Sequence, residues 1–494
     1  MTYTPGAMTV GIDPHLFIVF GGTGDLAHKK LLPALYELMR ERDFGDKVEV
    51  LGVAAGEMTD GAYQDMVVKA LGEAGFDDAA AWCREHVQYQ AIDDGFDKLA
   101  ARVRAVEKDS DLPGNRAFYL AIPPSVFDDT IEGLGKHDLV SSSGWVRVVV
   151  EKPFGTDSDT AAHLNAVVHR WLDESQIYRI DHYLAKETVQ NLLALRFANP
   201  FFESSWNRDR IDSVQITVAE DIGIANRADY YEKAGVIRDI IQNHALQVLT
   251  LVAMEPPPRT TPEAIRDEKV KVLKSIYGVD PADCVTGQYI DGEIDGEPVA
   301  GYRSEPGVAS DSTTATFAAL RLDVDNWRWK DVPFYIQAGK RMTTRLTQVS
   351  VVFKEPPICL FEPDSGMVMH PNVFDIRLQP SEGFELAFEM KLPGEGYKLQ
   401  TNRLHFQYDE EYGPLPTAYV TLLADVMAGD QTLFVRSDEV EEAWRIVGPA
   451  LDQGAPDPYP AGSWGPPSAT ELLARTGRVW QLPDRPDHLM APVS

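Results

Sequence analysis

The sequence predicts an α/β domain built on a parallel sheet, followed by a larger β+α domain with a mostly antiparallel sheet. Strand-like and helix-like segments alternate up to about residue 180, which is typical of a parallel sheet with helices on both faces. Beyond that point, several strand-like runs lie among two long helical patterns. Since 494 residues also exceed the size of one ordinary core, we expect domains at 1–180 and 181–494.

Apolar runs rich in β-branched and aromatic residues predict the strands, and apolar residues at helical spacing predict the helices. In the first domain we expect, in chain order, a strand at His15–Phe20, a helix at Leu31–Arg42, a strand at Val48–Ala54, a helix at Asp60–Ala74 and strands at Ala117–Ile122 and Val146–Val150. In the second domain we expect helices at Asp181–Ala198 and Val236–Met254, and strands within 212–221, 314–324, 332–339, 348–355 and 373–380.

The charge of the chain restricts its partners. It carries 76 acidic and 46 basic residues, which gives a formal net charge of -30 at pH 7. A field of this sign repels nucleic acid and anionic membrane surfaces, so we expect neither as a partner. It also repels anionic metabolites. Any phosphate site must therefore be built from locally clustered Lys, Arg and His side chains.

Cysteine usage and the absence of export signals indicate a cytoplasmic protein. Cys83, Cys284 and Cys359 are far apart and form no CxxC pair, which argues against a disulfide framework or a cysteine-based metal site. The N-terminus has no basic region followed by an apolar stretch. No apolar run approaches the roughly 18 residues of a membrane span. We therefore expect no secretory signal, no membrane contact and no metal.

A glycine-rich segment joins the first predicted strand to the first predicted helix. In Gly21–Asp25 (GGTGD), glycines allow the backbone to approach a pyrophosphate at a helix N-terminus, and Lys29 and Lys30 add positive charge. The spacing is not the GxGxxG fingerprint, so a purely structural turn stays open as an alternative. Its position at the first strand-to-helix junction favours a Rossmann-like dinucleotide-binding domain.

The end of the second strand usually distinguishes NAD from NADP. An acidic side chain there binds the ribose 2′-hydroxyl of NAD, whereas an Arg binds the 2′-phosphate of NADP. This chain has Ala54-Ala55-Gly56-Glu57, without an Arg. On these residues alone, the choice between the two dinucleotides stays open.

The segment Asp181–Lys186 (DHYLAK) offers donors for a phosphate. If Asp181 caps the predicted helix, His182 and Lys186 lie four residues apart on one helix face. With Tyr183 beside them, they present cationic and hydroxyl donors near a helix N-terminus, which suits a phosphate monoester. A solvated helix face that carries one histidine is the alternative.

The second long helix carries polar residues within an apolar stripe. The stripe at helical spacing consists of Ile237, Ile241, His244, Val248 and Leu251. Asp239 and Asn243 lie close to His244, and burying three such groups unpaired would cost several kcal/mol. They either satisfy one another, as around an ordinary core histidine, or line a pocket. A histidine beside a carboxylate in a pocket is equipped to take a proton from an alcohol.

Two further basic segments follow predicted strands. Lys152 stands at the end of a strand of the parallel sheet, and ligands of open α/β sheets bind outside the carboxyl ends of the strands. Gly339–Arg341, with Arg345, follows a strand of the second domain. A surface lysine and a solvated turn are the respective alternatives.

Taken together, these segments resemble the glucose-6-phosphate dehydrogenase family from near the N-terminus to about residue 480. The resemblance rests on the following segments, which occur in this order: FGGTGDLAHKKLLPALYEL, YLAIPPSVF, VVVEKPFGTD, YRIDHYLAKETVQNLLALRFAN, IRDIIQNHALQVLTLVAMEPP, IRDEKVKVLKSI and FVRSDEVEEAWRIV. Among them, DHYLAKE and QNHALQ are highly specific to the family.

The resemblance implies oxidation of glucose 6-phosphate to 6-phosphogluconolactone with hydride transfer to NADP, the first step of the oxidative pentose phosphate pathway. It implies that His244 is the general base and that Asp181 orients this base. The residues implied to bind the sugar phosphate are Lys152, His182, Tyr183, Lys186, Glu220, Asp239, Lys340 and Arg345. It also implies a homodimer or homotetramer, joined through the sheet of the second domain.

Cofactor contacts are expected along the first domain. The residues expected to make them are Gly21, Gly22, Thr23, Gly24, Asp25, Leu26, Lys30, Ala55, Pro123 and Lys152. The family's segment usually reads DHYLGKE, and this chain has Ala185 in place of its glycine. We expect this change to have little effect on function. Ala55 stands where many NADP-preferring relatives carry an Arg, and loss of that partner costs a 2′-phosphate about 1–3 kcal/mol. NADP is the expected cofactor, and use of or preference for NAD is the alternative.

Two other functions are alternatives on the same scaffold. A sugar-phosphate sensor without catalysis is expected to lack the base or its orienting carboxylate, and both His244 and Asp181 are present. A dehydrogenase for a 6-phosphate of galactose or glucosamine would differ only in the few side chains that read hydroxyl stereochemistry.

Overall fold

The computed structural model describes residues 12–41, 48–358, 361, 370–394, 398–413 and 415–483. Its backbone divides into two compact units. The first unit consists of the described residues within Met1–Ala185, Pro258–Arg266 and Pro416–Glu441. The second unit consists of those within Lys186–Pro257, Asp267–Leu415 and Glu442–Ser494. The domain boundary at residues 180–181 stays a prediction. The first unit also contains two segments from later in the chain, Pro258–Arg266 and Pro416–Glu441.

Strands and helices alternate in the first part of the chain, and strands dominate later. The strands are β1 (His15–Phe20), β2 (Val48–Ala54), β3 (Val87–Ala91), β4 (Arg116–Leu120), β5 (Val146–Val150), β6 (Ile177–Ile180), β7 (Ile211–Ala219), β8 (Cys284–Ile290), β9 (Gly292–Ile294), β10 (Glu297–Val299), β11 (Phe317–Asp323), β12 (Pro333–Gly339), β13 (Leu346–Phe353), β14 (Val373–Gln379), β15 (Gly383–Lys391), β16 (Leu399–Gln407), β17 (Phe434–Val435) and β18 (Asp457–Pro460). The helices are α1 (Leu32–Glu41), α2 (Asp60–Glu73), α3 (Ala80–His86), α4 (Phe96–Asp109), α5 (Phe127–Lys136), α6 (Ser158–His169), α7 (Glu187–Phe197), α8 (Pro200–Ser205), α9 (Ala228–Val236), α10 (Leu246–Ala253), α11 (Pro262–Lys274), α12 (Tyr408–Tyr412), α13 (Ala418–Ala428), α14 (Ser437–Val447) and α15 (Pro467–Ala474). Two π-helical segments, Ala27–Leu31 and Ile237–Ala245, precede α1 and α10.

A seven-stranded sheet forms the first unit, in the order β17-β6-β5-β4-β1-β2-β3. All neighbouring pairs from β6 to β3 are parallel. The strand order reverses at β1, between β2 and β4, and ligands of such sheets bind at this reversal. The predicted Rossmann-like α/β fold is thereby confirmed.

The outermost strand of this sheet comes from far along the chain. β17 pairs antiparallel with β6, and α13 adds Val420, Leu422 and Leu423 to the apolar core that also contains Leu35 of α1. Full burial of such a side chain contributes about 1.5–3 kcal/mol. The segment Pro416–Glu441 is therefore an integral part of the first unit.

A nine-stranded sheet forms the second unit, in the order β16-β15-β14-β13-β7-β12-β11-β8-β18. The pairs β7–β12 and β8–β18 are parallel, and the other neighbouring pairs are antiparallel. This confirms the predicted, mostly antiparallel sheet. Because β7 and β12 run the same way, their carboxyl ends lie side by side and place the residues that follow them at one edge.

Within the part of the chain that the structure describes, no helix combines the length and apolar character needed to cross a membrane.

Candidate active site

The glycine-rich loop after β1 is shaped for close approach of the backbone. Gly21 has a φ of 75°, and a Cβ there would lie 2.1 Å from the carbonyl oxygen of Ala121, so the position requires glycine. The N–H groups of Gly21 and Gly22 donate to the Val53 carbonyl at 2.8 and 3.2 Å, which joins the loop to the end of β2. Helical structure begins at Asp25. A dinucleotide diphosphate therefore fits at this helix N-terminus, beside the reversal of the sheet.

The other residues predicted to bind the cofactor in this region lie around the same loop. Asp25 forms an exposed ion pair with Lys29 at 2.8 Å, which offsets part of the positive charge expected there. The remaining predicted residues are Thr23 and Gly24 in the loop, Leu26 and the exposed Lys30 just after it, and the exposed Pro123 after β4.

The loop after β2 is exposed and acidic. Ala55 and Glu57 are exposed, and the N–H of Gly56 between them donates to the Asp93 carboxylate at 2.8 Å. The hydroxyl of Tyr89 donates to the Gly56 carbonyl at 2.7 Å. The Gly56 N–H, which lies where a 2′-phosphate would bind, is thus already hydrogen-bonded to the Asp93 carboxylate.

Lys152 is the second residue after β5, at the carboxyl edge of the seven-stranded sheet, and the Lys152–Pro153 peptide is cis. The preceding Glu151 accepts the hydroxyls of Tyr119 at 2.5 Å and of Tyr419 at 3.4 Å. Burial raises the pKa of Glu151, whereas the Tyr119 hydroxyl and the Lys152 charge oppose this shift. Lys152 was predicted from the sequence and the two tyrosines were not, because they lie 32 residues before and 268 residues after Glu151.

Asp181 begins a turn and not a helix. It follows β6, is 2% exposed, and accepts the N–H of Tyr183 on its side chain at 3.0 Å. Residues 182–185 are a turn, and α7 begins only at Glu187. The prediction that Asp181 caps a helix is therefore wrong. The physical reason is that an Asp side chain can hydrogen-bond the backbone two residues on and so close an Asx-turn.

The prediction that His182 and Lys186 share a helix face is wrong for the same reason. His182 lies in the turn, and its ring centroid is 5.1 Å from that of Tyr183. Lys186 is the residue before α7 and belongs to the second unit.

An acid–base cluster occupies the edge of the nine-stranded sheet where β7 and β12 end. Glu220 follows β7 and Lys340 follows the parallel β12. The Lys340 Nζ lies 2.5 Å from Glu220 Oε2 and 3.7 Å from Asp239 Oδ2, and 5.1 Å from the ring centroid of Tyr231. Because the Lys340 side chain is 1% exposed, these two carboxylates compensate a charge that water does not reach.

His244 and Asp239 lie on the same π-helical segment, Ile237–Ala245. His244 is 1% and Asp239 3% exposed. Asn243 accepts the backbone N–H of His244 at 2.6 Å, and Tyr230 donates to Asp239 at 3.4 Å. Such π-helical turns are uncommon and occur frequently at functional sites. The segment also replaces part of the α-helix predicted at Val236–Met254.

Lys186, predicted to bind the phosphate, and Arg345, predicted to lie around the sugar hydroxyls, meet at the same edge of this sheet. Lys186 Nζ and Arg345 Nη2 both donate to the side-chain oxygen of Gln379 at 3.2 Å, in the amide orientation that satisfies its oxygen and nitrogen. Glu382 lies 3.8 Å from Lys186 Nζ and accepts the N–H of Thr188 at 2.9 Å. Burial lowers the pKa of Lys186, Glu382 opposes this shift, and Arg345 adds to it.

Gln379 and Glu382 were not predicted from the sequence. They follow β14 in a segment without local signal for a binding site. Only the register, which pairs Thr347 of β13 with Gln379 and Leu346 with Ala219 of β7, brings Gln379, Arg345 and Glu220 to one edge.

Known proteins match the chain over most of its length. Glucose-6-phosphate 1-dehydrogenase of Aggregatibacter actinomycetemcomitans is 43% identical over 484 residues, which cover 94% of this chain and 97% of that protein. Glucose-6-phosphate 1-dehydrogenase 2 of Mycobacterium bovis is 42% identical over 483 residues, or 94% of each chain. A solved structure of glucose-6-phosphate dehydrogenase in complex with its substrate glucose-6-phosphate matches with a TM-score of 0.87 at 35% identity, covering 95% of this chain and 99% of that one.

Both parts of the chain also match family models. Residues 18–191 match the model for glucose-6-phosphate dehydrogenase, NAD binding domain, and residues 193–481 match the model for its C-terminal domain. Together with the parallel sheet and its glycine loop, these matches define an oxidoreductase that uses a nicotinamide dinucleotide. The chain belongs to the glucose-6-phosphate dehydrogenase family, as the sequence resemblance implied.

Proposed function

We propose that the chain oxidises glucose 6-phosphate at carbon 1 to 6-phosphogluconolactone. The observation that carries this proposal is the edge of the nine-stranded sheet, where Lys186 and Arg345 converge on one acceptor. Two converging cations suit a phosphate monoester. The Glu220–Lys340–Asp239 cluster at the same edge offers donors and acceptors for sugar hydroxyls. The relative solved with glucose 6-phosphate supports the same substrate.

His244 is proposed as the general base that takes the proton from the carbon 1 hydroxyl. Its burial and its place on the helical segment of Asp239 support this role. Asp181 is proposed to orient the base and to stabilise its cationic form. When bound, the dinucleotide supplies the acceptor for the hydride from carbon 1. His182 and Tyr183 are proposed to bind the phosphate with Lys186, and Lys152 to bind a sugar hydroxyl.

Lys186→Ala is expected to raise the KM for glucose 6-phosphate about tenfold or more, because it removes a charge-assisted hydrogen bond to the phosphate. The kcat should change far less, since the phosphate lies away from the reacting carbon. Steady-state kinetics measures both constants. Lys69→Ala is the matched control, because Lys69 and Glu73 form an exposed pair on α2. An unchanged KM in Lys186→Ala would refute the phosphate assignment.

NADP is proposed as the hydride acceptor from the family resemblance, and NAD is the second candidate. The exposed Ala55 and the bond from Gly56 to Asp93 favour NAD, because neither offers a cation to a 2′-phosphate.

Ala55→Arg is expected to raise the ratio of kcat/KM for NADP over NAD about tenfold, through a new bidentate partner for the 2′-phosphate. Ala55→Gln, which adds length without charge, is the control. A strong NADP preference in the parent chain that Ala55→Arg does not increase would contradict the role of this position.

Self-association through the sheet of the second unit is also proposed, as a homodimer or homotetramer. Among the strands that the structure describes, β16 is the outermost on this side of the sheet, and an edge strand is a natural site for pairing with another chain. Its neighbourhood exposes apolar side chains, with Leu404 62% and Met390 50% exposed.

Absorbance assays of dinucleotide reduction test the proposed function. Glucose 6-phosphate should be oxidised much faster than glucose, galactose 6-phosphate or glucosamine 6-phosphate. Tight binding of glucose 6-phosphate without turnover would instead establish the sensor alternative, and faster turnover of another phosphosugar would establish the second alternative.

A further inference from the structure

A half-buried carboxylate at the carboxyl edge of the first unit has no part in the proposed proton transfer. Glu151 Oε1 accepts the hydroxyls of Tyr119 at 2.5 Å and of Tyr419 at 3.4 Å. The backbone N–H of Lys152 also donates to this carboxylate. All three groups are hydrogen-bond donors, and the Glu151 carboxylate accepts from each of them. Accepting hydrogen bonds only is typical of an ionised carboxylate.

Three separate elements hold this carboxylate in place. Tyr119 lies on β4 and is fully buried, while Tyr419 lies on α13. β4 and β5 are parallel neighbours with Leu120 opposite Val150, so the Tyr119 side chain reaches the residue that follows β5. A glutamate on an open surface needs no such support. Two anchored hydroxyls converging on one oxygen indicate that the position of the negative charge matters.

The location of this charge connects it to the dinucleotide. In a doubly wound sheet, the second half of the dinucleotide binds outside the carboxyl ends of the strands beyond the reversal, here β4 and β5. The nicotinamide ring carries a positive charge when oxidised and none when reduced. Lys152 alone would repel the oxidised ring more than the reduced ring, and an adjacent carboxylate offsets this repulsion.

We propose that Glu151 is a positioning residue that balances the charge of Lys152 and favours binding of the oxidised dinucleotide over the reduced one. This inference rests on the proposed function in taking Lys152 as part of the active site. Tyr119 and Tyr419 act through Glu151, by fixing its carboxylate between β5 and α13.

The test compares dissociation constants for NADP⁺ and NADPH, and for NAD⁺ and NADH, on the full chain without sugar. Glu151→Gln keeps the shape and an acceptor oxygen but removes the charge. The ratio of the constants, oxidised over reduced, is expected to rise about fivefold or more. Glu132→Gln is the matched control, because Glu132 pairs with Lys136 on α5 of the same unit, and its ratio should equal that of the parent chain.

Tyr419→Phe provides a second variant, which removes one hydroxyl and leaves every charge in place. Its ratio is expected to move the same way by about twofold. A parent-like ratio in both variants, or equal weakening of both oxidation states, would overturn the inference. Glucose 6-phosphate oxidation by the parent chain is measured in parallel. Failure of that reaction counts against the proposed function, while the binding ratio still decides the role of Glu151.

Discussion

His244→Asn is expected to lower kcat about 10²–10⁴-fold, the usual contribution of a general base. His244 is 1% exposed, and Asn fills most of the space of its imidazole and keeps a hydrogen-bonding group there. The Asn side chain cannot accept a proton near neutral pH. Substrate binding should therefore persist. Single-turnover kinetics and calorimetric titration with glucose 6-phosphate measure the two quantities separately.

His163→Asn is the control for this experiment. His163 forms an exposed pair with Asp128 at 2.9 Å, and its replacement should leave kcat unchanged. Turnover close to that of the parent chain in His244→Asn would rule out His244 as the base. Loss of binding together with turnover would point to a structural role.

Lys340→Met is expected to lower the free energy of unfolding by about 3 kcal/mol, near the lower end for breaking a buried ion pair. The substitution leaves Glu220 and the buried Asp239 without their shared cation, and Glu220 reaches water in part, with 28% of its side chain exposed. Turnover of glucose 6-phosphate should fall as well, because the cluster is proposed to bind the sugar hydroxyls. Urea denaturation and steady-state kinetics measure the two effects.

Lys330→Met serves as the matched control for Lys340→Met. Lys330 pairs with Asp325 at 2.7 Å on the surface, and an exposed pair contributes only about 0–1 kcal/mol. Adding Asp239→Asn to Lys340→Met should restore part of the lost stability, since one of the uncompensated charges disappears. Equal stabilities for Lys340→Met and Lys330→Met would show that the cluster does not depend on its cation.

The local pattern of apolar residues predicted those strands that consist of a short apolar run. β1, β2 and β5 occupy the predicted residues, because each is a short apolar run. β3 alternates buried residues with half-buried Gln88 and Gln90, which weakens the apolar signal. β17 has two residues, and its pairing with β6 follows from packing alone. Periodicity cannot predict such a strand.

Residues of the candidate site could be predicted where they lie just after the end of a strand. Lys152 and Lys340 follow β5 and β12, so the rule that ligands bind at carboxyl ends found both. Partners from distant segments, such as Glu382 and Tyr419, depend on tertiary contacts and leave no local trace. Asp181 was misassigned because an N-cap and an Asx-turn begin with the same residue types.

The segment Pro416–Glu441 has a consequence for the order of events during synthesis. Strand β6 and the core around α1 stay uncovered until α13 and β17 have left the ribosome, long after the glycine loop has emerged. Contacts this remote in the chain are slow to form and leave nascent apolar surface exposed in the meantime. The bond from Tyr419 to Glu151, which spans 268 residues, can form only after most of the second unit has been translated. The contacts that hold the Glu151 carboxylate are therefore completed only on an almost finished polypeptide.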